Sequence, residues 1–168
     1  MGCLVLAGKN NLNPLIPLTQ KPFYLIDQSI SLYATDIKPN RLTRLKQKLQ
    51  DIINTITEGE IAMVAFAGDA LISPFSADKS TLTHFLLALD PLIMPLYGSN
   101  LLAGVQTSLS LLENNPSPAH LIIVTDSINS NEIIEIPKLT KLNSLQVSII
   151  GAGKPTSEEK LYFLMDPI

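Results

Sequence analysis

The chain has 168 residues, enough for one domain with a sizeable core, and its apolar fraction of 46% with only 5% aromatics and no Trp makes that core aliphatic. A net charge of −3 with scattered Lys and Arg excludes a nucleic-acid-binding face, which needs clustered basic residues. Cys3 is the only cysteine, so an internal disulfide and a thiolate metal site are excluded too.

Residues 1–22 are read as a leader or linker, rich in Asn and Pro from Lys9 onward, and residues 23–168 as the domain. Met1 to Gly8 is apolar but too short to span a bilayer, and it lacks the basic start of a signal peptide. Gly2 opens no myristoylation motif, because Leu6 stands where Ser or Thr is required. The apolar start is read as the stub of a membrane segment from a longer protein.

Short β-rich runs at Phe23–Ile26, Ile61–Phe66, Leu121–Val124 and Val147–Ile150 alternate with segments of helical period. That alternation predicts a parallel sheet covered on both faces. Arg41 to Thr57 aligns Leu42, Leu45, Leu49, Ile52, Ile53 and Ile56 on one helical face. Ala70–Ser73, closed by Pro74, is expected to form a hairpin with Ile61–Phe66 and so an antiparallel edge strand. Asp78 to Leu89 and Leu101 to Leu112 read as two further helices, the second broken by Asn114-Asn115-Pro116. After Asp126 the apolar residues Ile133, Ile134, Ile136, Leu139 and Leu142 suit a helix that Pro137 should interrupt, unless it opens a second one. The tail from Thr156 to Ile168 fits either a helix or a strand.

Three segments carry the chemistry. Asp27-Gln28-Ser29-Ile30-Ser31 places a carboxylate and two hydroxyls at the end of the first strand. Gly98-Ser99-Asn100 precedes a helix, and Thr125-Asp126-Ser127 ends the strand from His120. In a doubly wound sheet these positions reach one edge, where ligands bind at the reversal of strand order. Asp27, Ser29, Ser31, Ser99 and Asp126 then offer two carboxylates and three hydroxyls, the hard oxygen set that Mg²⁺ prefers, with Mn²⁺ or Ca²⁺ as alternatives. Formal charge −2 against a dication leaves coordination positions for water or for an outside carboxylate. His84 and His120 fall inside a helix and at a strand start, where packing or capping suits them better than catalysis.

The order D-x-S-x-S, Gly-Ser, Thr-Asp resembles the metal-ion-dependent adhesion site of the von Willebrand factor A (VWA) domain. Ala34 to Leu42 (ATDIKPNRL), Val64 to Ala70 (VAFAGDA) and Pro91 to Asn100 are similar to the membrane-anchored bacterial VWA proteins of the aerotolerance operon, the Bat type. The resemblance runs from about Phe23 to Gly153. It implies a Rossmann-like α/β fold, a Mg²⁺ ion on the five residues named, with Asp126 acting through water, and no enzymatic activity. It further implies that an acidic side chain of a protein partner completes the metal shell, and that the domain belongs to a bacterial inner-membrane protein facing the cell envelope. Three residues depart from the family pattern: Ser99 replaces Thr and keeps the hydroxyl, Ser127 replaces Gly, and Leu32 replaces Met.

Around this edge Tyr33, Asp36, Asp69, Tyr97 and Asn100 are expected to form a rim that sets partner specificity. Two other readings compete. One is a VWA scaffold whose metal site has lapsed and which acts in complex assembly. The other is a Mg²⁺-dependent phosphohydrolase of haloacid-dehalogenase type, disfavoured because Ser29 occupies the position of its second acidic residue. Gly151-Ala152-Gly153-Lys154 is read as a strand-end turn, since Pro155 stands where a phosphate loop needs Ser or Thr.

Overall fold

Unbroken burial along the central strands explains the architecture of the computed structural model, which describes residues 21–56, 59–113, 119–142 and 145–153. Strands β1 (Lys21–Asp27), β2 (Ile61–Phe66), β3 (Ala70–Ser76), β4 (Ala119–Thr125) and β5 (Gln146–Gly151) form one sheet in the order β3-β2-β1-β4-β5. β1, β2, β4 and β5 are parallel, whereas β3 pairs antiparallel with β2 at one edge.

One face of the sheet presents Tyr24, Ile26, Met63, Ala65, Ile122 and Val124 to the helices α1 (Arg41–Thr55) and α2 (Lys79–Ala88). The other presents Phe23, Leu25, Val64, Phe66, Leu121 and Ile123 to α3 (Leu101–Glu113) and α4 (Ser130–Leu142). Continuous apolar strands between two helical layers are the signature of a parallel sheet buried on both sides. α3 comes close because of Gly104, where a Cβ would stand 3.0 Å from Leu25 Cδ1 and 3.1 Å from Phe66 Cβ.

Local chemistry sets the element ends. Asn40 caps α1 by accepting from the Thr43 amide, and Asp78 caps α2 through the amides of Ser80 and Thr81. Asn129 and Glu132 cap α4 reciprocally, at 2.8 and 2.9 Å. That strong start carries α4 straight through Pro137, against the expected interruption. β3 runs on through Pro74 to Ser76, longer than the expected Ala70–Ser73, because an edge strand tolerates a missing amide beside the register shift between Ile61 and Met63.

β1 starts at Lys21, two residues inside the expected linker. The rest of that leader, the break at Asn114-Asn115-Pro116, Lys154, Pro155 and the tail from Thr156 lie outside the described residues. No helix among the described residues is long and apolar enough to cross a membrane.

Candidate metal and recognition site

The sheet reverses its winding between β1 and β4, so their carboxyl ends flank the crevice where open α/β sheets bind ligands. Asp27 is the last residue of β1 and Asp126 follows the last residue of β4. Asp27 is fully buried. Its Oδ1 accepts the Ser29 amide at 2.7 Å and its Oδ2 lies 2.5 Å from Thr125 Oγ1. The single Thr125 proton is shared between that carboxylate and the Ser127 carbonyl, 2.8 Å away. Burial, above all, pushes the Asp27 carboxyl above its ordinary range; the bonds from Thr125 and Ser29 oppose this, and the Asp126 charge adds to it. Among the described residues no basic side chain pairs with Asp27.

Asp126 differs in having a cation. Its side chain is 2% exposed, and its Oδ2 accepts from Arg41 Nη1 at 2.9 Å, while Oδ1 is buried with no hydrogen-bond partner. Arg41 turns its other edge to Asp36, with Nε 2.7 Å from Oδ1 and Nη2 3.2 Å from Oδ2. The paired carboxylates, Asp36 foremost, hold the guanidinium pKa above its ordinary value despite partial burial. Gly153 lies against the guanidinium face, where a Cβ would stand 3.2 Å from Arg41 Cζ.

The hydroxyls complete this edge. Ser29 Oγ and Ser31 Oγ are 2.8 Å apart, at the mouth of the 3₁₀ turn Ile30–Tyr33. Ser99 is exposed, and the residue after it is tied to the end of β2, where the Asn100 amide donates to the Ala67 carbonyl at 2.7 Å, next to the bond from the Gln28 amide to the Phe66 carbonyl at 2.7 Å. Gly68 allows that approach, since its amide donates to Leu96 O at 2.9 Å and a Cβ there would stand 2.7 Å from Tyr97 O. Gly98 takes φ +140°, a backbone region that favours glycine.

Of the expected rim, Tyr97 is 61% exposed, and Asp69 and Asn100 are exposed while also bonding the Ala70 and Ala103 amides. The Tyr33 hydroxyl donates to Asp90 Oδ1, joining the 3₁₀ turn to the loop that follows α2. Asp36 has its carboxylate engaged by Arg41 rather than free at the surface. Leu96, which opens the expected rim loop, is more than half exposed, and so are Ile30, Leu92 and Ile93, which the sequence reading did not single out as rim residues. Arg41 was also missed as a site residue. A signal existed: a cation at the first position of a helix opposes the helix dipole and so must be held there by other partners. His84 is exposed on α2, and His120 is buried, with Nε2 2.8 Å from Ser148 Oγ.

Among the described residues no three acidic, His or Cys side chains gather as a metal cluster. Any cation here must therefore rest on two carboxylates and neutral oxygens. That set fits a hard dication on one structural ground, the buried and unpartnered Oδ1 of Asp126 beside the unpaired carboxylate of Asp27.

Fold and edge together define a Rossmann-like α/β domain that gathers oxygen donors at its topological switch point. Residues 23–129 match the von Willebrand factor type A domain, and the chain belongs to that family. An uncharacterized protein of Borreliella burgdorferi is 31% identical over 141 residues, covering 80% of this chain and 40% of its own length. This chain thus spans less than half of that relative. Among solved structures, BatB of Bacteroides thetaiotaomicron has TM-score 0.71 at 22% identity, covering 79% of this chain and 66% of that one. An aerotolerance-related membrane protein of Bacteroides fragilis gives TM-score 0.71 at 22% identity, covering 88% and 77%. The manganese-loaded TRAP protein of Plasmodium vivax gives TM-score 0.63 at 20% identity, covering 83% and 59%.

Proposed function

We propose that this edge binds a divalent cation, Mg²⁺ or Mn²⁺, and that the domain uses it to recognise another protein. Asp27, Ser29, Ser31, Ser99 and Asp126 would hold the ion. Once bound, the ion supplies two positive charges and an exchangeable position that an acidic side chain of the partner can take. The observation that carries the reading is Asp27, a fully buried carboxylate with no basic partner among the described residues, next to the orphaned Oδ1 of Asp126. A buried carboxylate without a counter-charge is costly even when hydrogen-bonded, and a dication beside it would offset that cost.

The rim supports recognition rather than turnover. Ile30, Leu92, Ile93, Leu96 and Tyr97 are exposed apolar side chains around a polar centre, the composition of a protein-binding patch. His84 and His120 belong to a helix and to a strand packed on β5, and neither is joined by a hydrogen bond to the two carboxylates, so this reading assigns no catalytic base. The manganese-loaded state of the TRAP protein, which shares this fold, is in keeping with the cation reading. The membrane description of the Bacteroides fragilis protein supports a place in a bacterial envelope for the parent of this domain.

Arg41 favours a second reading. Its guanidinium already holds one oxygen of Asp126, as expected of a scaffold whose metal site has lapsed. Amide spectra of the isotope-labelled chain titrated with Mn²⁺ distinguish the two. Cation binding at this edge broadens Ser29, Ser31, Asn100 and Ser127 while sparing Lys21 and Ala119 at the opposite end of the strands. Broadening without that localisation favours the scaffold. On the partner side, retention of a bound envelope protein in Mg²⁺ and its loss with EDTA or with Asp126→Ala supports recognition through the ion.

A further inference from the structure

Arg41 meets two carboxylates unequally. Asp36 takes the Nε and Nη2 edge with both oxygens, so Asp126 is met by Nη1 alone. Had the guanidinium turned its Nη1 and Nη2 edge fully to Asp126, both oxygens of Asp126 would be engaged in a bidentate pair. Instead Oδ1 stays buried and unpartnered. Gly153, packed on the guanidinium face, and the Arg41 amide, bonded to Ala34 O at 3.0 Å, fix where the side chain starts and which way its plane lies.

We infer that Asp36 restrains Arg41 so that the guanidinium positions Asp126 without closing it, which makes Asp36 and Arg41 positioning residues for the cation edge. This rests on the cation reading above. Two consequences follow from charge. Asp36 and Arg41 together are neutral, so the carboxylates of Asp27 and Asp126 present their full −2 to a dication. Remove the charge of Asp36, and Arg41 stays paired to Asp126 alone, its positive charge no longer balanced by Asp36 and a second N–H available for Asp126 Oδ1. It then competes for that oxygen and repels the ion.

An ordinary surface ion pair behaves differently. It contributes little to stability when exposed, and its loss leaves a neighbouring site unchanged. Asp36 and Arg41 have side chains 25% and 22% exposed, which places them between the exposed and buried cases. A double-mutant cycle separates the two behaviours.

The experiment is a Mn²⁺ titration of the full 168-residue chain, read by the electron paramagnetic resonance of the free ion, for wild type, Asp36→Asn, Arg41→Gln and the double variant. Asp36→Asn is expected to weaken Mn²⁺ about tenfold, the order produced by one unit charge near a dication in a water-like medium. Adding Arg41→Gln to Asp36→Asn is expected to recover most of that loss, so that the double variant binds more tightly than Asp36→Asn alone. If the pair acted only by bracing the fold, affinity would follow the melting temperature across the three variants, whereas a rescue through charge occurs without a matching recovery of stability. Circular dichroism confirms folding, and Asp36→Ser replaces Asp36→Asn if the latter does not fold. The inference is overturned if Asp36→Asn binds as wild type does, or if the double variant binds no more tightly than Asp36→Asn. If wild type takes up no Mn²⁺ at all, the cation reading fails and this inference with it.

Discussion

Thr125 holds Asp27 across two paired parallel strands, with its hydroxyl oxygen 2.5 Å from Asp27 Oδ2. The same hydroxyl lies 2.8 Å from the Ser127 carbonyl, so its proton has two acceptors and can turn toward either. That choice makes the site tolerant of a change in the charge of Asp27.

Asp27→Asn is therefore expected to fold and, without metal, to be the more stable protein. The amide oxygen accepts the Ser29 N–H, and the amide nitrogen donates to Thr125, whose proton turns to Ser127 O. The sign follows from the raised carboxyl. Because the folded state holds this proton more tightly than the unfolded chain, ionised Asp27 costs stability. That cost is absent below the ordinary value of 3.8 and complete once pH exceeds the folded value. Melting in EDTA should show the two proteins alike at acid pH and the variant a few degrees higher at neutral pH.

Tyr33→Phe tests the joint beneath the rim. The Tyr33 hydroxyl, followed by the Leu92 amide, holds the Asp90 carboxyl below its ordinary 3.8. A depressed carboxyl contributes stability above the unfolded value and loses it as pH falls through the folded one. The variant should melt lower than wild type at neutral pH, and the difference should shrink toward zero in strong acid.

Gly68→Ala should loosen the loop that carries Ser99. A Cβ would stand 2.7 Å from Tyr97 O and 2.9 Å from Leu96 Cβ, so backbone must move. The expected loss is about 1–3 kcal/mol, typical of overpacking, measured by urea unfolding. Cation affinity should fall with it, because Asn100 is tied to Ala67 beside the displaced turn.

Leu92→Ser and Tyr97→Ser should behave oppositely. These side chains are 65% and 61% exposed, so stability should change by no more than about 0.5 kcal/mol. Partner retention should drop sharply if the rim supplies apolar anchors. Chemical unfolding and pull-down measured on the same variants separate the two effects.

The sheet and both carboxylates were legible in the sequence because β1 and β4 carry the apolar runs Phe23–Ile26 and Leu121–Val124, with Asp27 closing the first strand and Asp126 directly following the second. Leu42, Leu45, Leu49, Ile52 and Ile53 were legible for the same reason, a buried helical stripe. Pro137 misled because its local preference was outweighed by the reciprocal cap of Asn129 and Glu132 and by the burial of Ile136. The pairing of Asp36 with Arg41 was not legible, because nothing in a linear motif shows that a carboxylate five residues before an arginine will fold back onto it. The contact between Arg41 and Asp126 spans 85 positions, and only the topology brings those residues together.

Calorimetric titration of Mg²⁺ into wild type and Asp27→Asn tests the central claim most directly. The account predicts one ion per chain for wild type and none for the variant, with both proteins folded. Equal uptake by the two, or none by wild type, would contradict it.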